Sequence, residues 1–91
     1  MAVRTQIEII NKLGLHARAA SKLVATASRY EARIEVTNPA GQKADAKSIM
    51  SILMLAAAKG MTLDIEASGE DEQEALDAIC TLINNRFDEP E

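Results

Sequence analysis

The sequence predicts an α+β domain, a two-layer open-faced sandwich. A four-stranded antiparallel sheet carries three helices on one face, in the order β-α-β-β-α-β-α. Three observations predict it. Segments at residues 5–10, 31–37 and 61–67 alternate apolar and polar residues, as strands buried on one side do. Segments opening near residues 17, 48 and 72 place apolar residues three and four apart, the stripe of an amphipathic helix. Turn-forming groups, "NKLG", "NPAG" and "KG", separate them.

Taken in order, "TQIEII" turns Ile7 and Ile9 to one side, and "NKLG" breaks the strand. From Ala17 a helix runs to near Arg29, its stripe formed by Ala20, Leu23, Val24 and Ala27. "EARIEVTN" returns to alternation, with Ile34 and Val36 inward. Asn38, Pro39 and Gly41 then occupy the first, second and fourth places of a type I turn, leading into a short strand over 42–44. A second helix starts at Ser48, with Ile49, Ile52, Leu53 and Ala56 as its stripe and "KG" at 59–60 as its end. "MTLDIEA" is the fourth strand. Ser68 and Asp71 have capping-box spacing before a last helix lined by Leu76, Ile79, Cys80 and Ile83.

The chain of 91 residues suits one domain with one modest core. Residues 86–91, "RFDEPE", read as a frayed acidic tail. Tyr30 and Phe87 are the only aromatics, so the core must be aliphatic. A net charge of −4 and the scarcity of aromatics disfavour a general nucleic-acid binder. No secretory signal is visible at the start, and the longest apolar run, "ILMLAAA", is too short to cross a bilayer. The expectation is a cytoplasmic monomer without membrane attachment. Cys80 stands alone as a small apolar filler, and one histidine with one cysteine cannot complete a typical metal site. No metal and no cofactor are expected.

The single histidine, His16, lies in "KLGLHARAASKL" at the start of the first helix. A helix start leaves backbone N–H groups without intrahelical partners and adds partial positive charge, which suits phosphate. A neutral imidazole there is a nucleophile, Arg18 can hold phosphate oxygens with its planar donor fork, and Gly14 lets the backbone turn closely. These parts compose a phosphohistidine site. From these residues alone, a tolerated surface histidine is the commoner reading of such a position, and both stay open. A Ser–His–Asp hydrolase is disfavoured, since no G-x-S-x-G is present.

"GLHARAA" resembles the G-L-H-[AT]-R-P-A signature of the HPr family, the histidine-containing phosphocarriers of the bacterial phosphoenolpyruvate-dependent phosphotransferase system. "AKSIMSILMLAAAKG" and "IEASGEDEQEAL" resemble that family's second and last segments, in order and in register. The resemblance implies that His16 accepts a phosphoryl group on Nδ1 from phosphorylated enzyme I and passes it to an EIIA domain. It implies that Arg18 steadies the phosphate, together with the N–H groups of Ala17 and Arg18. Such a protein is a carrier and not an enzyme. Ser48 matches the serine modified by HPr kinase/phosphorylase in many bacteria, and is equally a plain helix cap. Leu15, Ala20, Ile49, Met50 and Met54 are the residues expected in the patch on which partners dock.

Two positions depart from the family pattern. Ala19 replaces a proline that would stiffen the first turn, and Leu13 stands where many relatives have Ser or Asn. Capping therefore falls to His16 or to water. The alternative from another class is a regulatory module of the same fold, like the Crh-type relatives, which lack the signature histidine. A metal-binding or catalytic domain ranks third. The ending "LINNRFDEP" resembles proteobacterial versions, including NPr of the nitrogen-related branch, and leaves sugar and nitrogen roles both open.

Overall fold

The computed structural model describes residues 2–91. Its elements are β1 (Ala2–Glu8), α1 (Ala17–Ala27), β2 (Arg33–Thr37), β3 (Lys43–Asp45), α2 (Ile49–Met54), β4 (Thr62–Ser68) and α3 (Glu72–Asn84). The strands form one antiparallel sheet in the order β1-β4-β2-β3, with Ile7 opposite Leu63, Val36 opposite Ile65 and Val36 opposite Ala44. This is the α+β architecture the periodicities predict.

Alternation decides which face is covered. Ile34 and Val36 of β2 and Leu63, Ile65 and Ala67 of β4 are buried, while their neighbours in sequence face outward. Each buried Ile, Leu or Val side chain contributes about 1.5–3 kcal/mol by leaving water. The helices close the other side of that core with Leu23 of α1, Ile52 of α2, and Ile79 and Ile83 of α3. Ala19, Ala20 and Ala27 are also buried, and their small side chains let α1 pack closely against α2 and α3. The turn after β2 is built by Asn38, whose Oδ1 accepts from the N–H groups of Ala40 and Gln42 at 3.1 and 2.9 Å. Its Nδ2 donates to the Leu55 carbonyl at 3.1 Å, which satisfies an acceptor that the end of α2 leaves open.

Four expectations need correction. The first strand begins at Ala2, because β4 is long enough to pair with β1 from Ala2 to Glu8. The second helix stops at Met54 instead of 59–60, since Ala56 takes a left-handed backbone (φ +50°) and Leu55 turns into the core. The buried side of α2 is therefore Ile52 with Leu55, while Ile49 and Ala56 are exposed.

The capping box is also absent. Ser68 belongs to β4, and the Asp71 carboxylate makes no bond to its own helix. It accepts instead from the N–H groups of Glu31 and Ala32, at 3.0 and 2.9 Å, and so pins the loop before β2. Those bonds, the Glu31 one foremost, with help from Lys47, outweigh desolvation and hold the Asp71 carboxyl below its ordinary 3.8. A folded-state value lower than the unfolded one stabilises above the unfolded value, and the contribution fades as pH falls through the folded value. Thermal unfolding of wild type and Asp71→Asn should therefore differ most above the ordinary carboxylate range and converge as the pH falls below it. A gap that widens on acidification would contradict the assignment.

The fourth correction concerns the tail. Arg86, Phe87 and Asp88 form a tight left-handed turn (φ +57°, +53° and +64°), and the Phe87 ring is fully buried among the helices. The buried Phe87 ring ties a mostly charged run to the core.

Candidate functional site

His16 sits on the residue that opens α1, with extended backbone (φ −74°, ψ 179°). It is itself the cap: the Arg18 N–H donates to its Nδ1 at 3.3 Å, and its carbonyl accepts from Ala20 at 2.8 Å. Of the two capping routes that Leu13 leaves open, the imidazole takes one. Ala17 is exposed at the first helical position, and its N–H carries no hydrogen bond among the described residues. The Arg18 guanidinium is exposed and likewise makes no hydrogen bond or ion pair among the described residues. His16, Ala17 and Arg18 thus lie together at one open helix end: a ring nitrogen, a backbone donor and an uncommitted cation.

The loop that delivers His16 is held against the chain leaving α2. Gly14 has φ +66°, and a Cβ there would lie 2.5 Å from the Ala57 carbonyl oxygen. That same oxygen accepts from the Leu15 N–H at 2.9 Å. Leu15, expected in a docking patch, is in fact 5% exposed, and Ala20 is fully buried. Both face the core because the helix start points them inward. Among the described residues, the large apolar side chains left exposed are Leu13, Ile49, Met50 and, at 74%, Met54.

Ser48 opens α2, its Oγ accepting from the Ser51 N–H at 3.4 Å. It is half-buried, a plain cap with Ile49 and Met50 directly after it. Cys80 is part-buried on α3, and burial together with Asp77 pushes its thiol up from the ordinary value, as expected of a filler.

Two residues of the site escaped the sequence reading, Asn11 and Glu89. The left-handed turn brings the tail back beneath α1, where the Glu89 carboxylate meets Nε2 of His16 and accepts from Asn11 Nδ2 at 3.0 Å. The Glu89 side chain is 9% exposed. Burial pulls its carboxyl upward, but the hydrogen bonds from Asn11 and His16, with the nearby Arg18 charge, prevail and hold it below the ordinary value. Asn11 is fully buried and also donates to the Gly14 carbonyl at 2.9 Å. The acidic run "FDEPE" gave no sign of this, because the signal lies in the burial of Phe87.

The family model described as the PTS HPr component phosphorylation site matches residues 3–85. The chain belongs to the HPr family. A phosphocarrier protein HPr of Pseudomonas aeruginosa is 55% identical over 86 residues, 94% of this chain and 96% of that protein. A phosphocarrier protein NPr of Escherichia coli K12 is 44% identical over 89 residues, covering 98% and 99%. Among solved structures, HPr-C-His from Thermoanaerobacter tengcongensis superposes with a TM-score of 0.93 at 42% identity, covering 98% of this chain and 99% of that one. The open helix end at His16 is therefore the corner of an HPr-family fold. Among the described residues, no helix is long and apolar enough to cross a membrane.

Proposed function

We propose that this HPr-family chain carries a phosphoryl group on Nδ1 of His16, received from phosphorylated enzyme I and delivered to an EIIA domain. The observation that carries this reading is the placement of Nδ1 at the N-terminus of α1, with Arg18 exposed alongside and uncommitted. In the transfer, the Nδ1 lone pair attacks phosphorus, the Nδ1–P bond forms, and the donor leaves with the electron pair of its own bond to phosphorus. The Arg18 N–H that now bonds Nδ1 is freed, and with the Ala17 N–H and the Arg18 guanidinium it faces the incoming oxygens. Catalysis comes from positioning and charge, with the partner completing the site. Because the site is one open helix end, it can give the group up again.

The docking surface in this reading is the exposed set Leu13, Ile49, Met50 and Met54. Flexible methionines suit one patch that must serve a donor and an acceptor. Ser48 is the regulatory position: a phosphate on it adds negative charge directly beside Ile49 and Met50. Relatives named HPr and NPr support a role in the sugar or the nitrogen-related branch of the phosphotransferase system.

The test is intact mass after incubation with phosphoenolpyruvate, Mg²⁺ and enzyme I. Wild type should gain one acid-labile phosphoryl group, and His16→Ala should gain none. No gain with an enzyme I shown to be active would sink the carrier reading. With ATP and HPr kinase/phosphorylase, a second, acid-stable addition absent from Ser48→Ala is expected.

A further inference from the structure

The ring of His16 has two nitrogens, and two separate contacts constrain which of them bears the proton. A backbone N–H can only donate, so Nδ1, which takes the Arg18 N–H, presents a lone pair. An ionised carboxylate can only accept, so Nε2, which faces Glu89, carries hydrogen. The contacts come from opposite ends of the chain and select the same tautomer. It is the tautomer a nucleophile at Nδ1 requires.

Glu89 does not reach this place by chance. One of its oxygens is held by Asn11, which is fully buried and grips the Gly14 carbonyl with the same amide group. The chain on both sides is fastened. Lys22 Nζ donates to the Phe87 carbonyl at 2.9 Å and pairs with Asp88 at 3.5 Å, and the Lys12 N–H donates to the Glu91 carbonyl at 3.0 Å. The turn that points the tail back uses three consecutive non-glycine residues at positive φ, a conformation L-residues adopt at a cost. Strain kept in place by such surroundings is a feature of functional sites.

We propose that Glu89, held by Asn11, is a positioning residue for phosphoryl transfer: its carboxylate fixes the His16 proton on Nε2 and leaves the Nδ1 lone pair to the donor. This rests on the carrier reading above. As the Nδ1–P bond forms and the donor departs with its electron pair, the ring becomes cationic with its Nε2 hydrogen in place. The carboxylate beside Nε2 offsets that charge. On delivery, the Nδ1–P electron pair returns to the ring, phosphorus passes to the acceptor, and the Nε2 proton never leaves. The logic is that of a buried acid orienting a catalytic histidine.

The experiment compares wild type, Glu89→Gln and Glu91→Gln, the last changing a neighbouring exposed carboxylate that pairs with Lys12 instead of His16. Ring ¹⁵N shifts of neutral His16 report the tautomer, and phosphorylation by phosphoramidate, which needs no protein partner, reports the rate at Nδ1. The expected result is an Nε2–H tautomer in wild type and Glu91→Gln, and a mixture in Glu89→Gln. The Glu89→Gln rate should fall by roughly ten- to a hundredfold, as on loss of the partner that orients a metal-bound histidine. An unchanged tautomer or an unchanged rate in Glu89→Gln overturns the proposal while leaving the carrier reading intact. A wild type that takes no phosphoryl group from phosphoramidate or from enzyme I overturns the carrier reading, and the proposal with it.

Discussion

Replacing Phe87 with alanine is expected to remove about 3–5 kcal/mol of stability, the usual range for emptying a buried aromatic site. A domain of this size has about 5–15 kcal/mol in all, so the variant should be close to its limit. The expectation follows from position: the ring is fully buried, it is the largest such side chain, and the core around it is otherwise aliphatic. The loss should also reach the site. Phe87 anchors the turn that carries Glu89, so the variant should show the mixed His16 tautomer expected of Glu89→Gln, now joined to lower stability. Urea unfolding at constant slope measures the first effect. A loss under about 1 kcal/mol would mean that the tail is not part of the core.

The elements were legible wherever the periodicity was clean. β2 and β4 bury every second residue, and that alternation is written plainly in "RIEVT" and "TLDIEAS". α1 was legible for the same reason. The second helix was misread because "SIMSILMLAAAKG" is apolar all round, so that several stripes fit. What decided between them is tertiary: Leu55 fills the core, and Asn38, far away in sequence, accommodates the Leu55 carbonyl.

Of the site, His16 and Arg18 could be found because a local motif places them at a helix start. Leu15 and Ala20 were misplaced because helix phase near a terminus depends on how the entering loop is held. Glu89 and Asn11 were invisible, since each gains its meaning from the other across most of the chain. No local pattern encodes such a pairing. Asp71 shows the same thing on the scaffold side, where a carboxylate with capping-box spacing serves a loop forty residues away.

Gly14→Ala is the other substitution expected to have a large effect, about 3 kcal/mol, and its size can be separated into parts. The first part is conformational: a left-handed backbone costs a residue with a Cβ roughly 1–2 kcal/mol. Gly41, at φ +85° with nothing within 4 Å of an added Cβ, isolates that part, so Gly41→Ala should lose about 1 kcal/mol. At Gly14 the added carbon would also lie 2.5 Å from the Ala57 oxygen and 2.9 Å from the Ala58 Cα. Both are backbone atoms and cannot swing aside as a side chain would. To make room, the loop must lift from the end of α2, stretching the Leu15 bond to Ala57, a bond worth about 1 kcal/mol. Lifting the loop also carries the Gly14 carbonyl away from Asn11 and tilts His16 off Glu89. Gly14→Ala should therefore lose stability and phosphoryl acceptance together, whereas Gly41→Ala should keep full acceptance. Equal losses in the two variants, by denaturation and by intact mass, would mean that the close approach of the two loops does not set the position of His16.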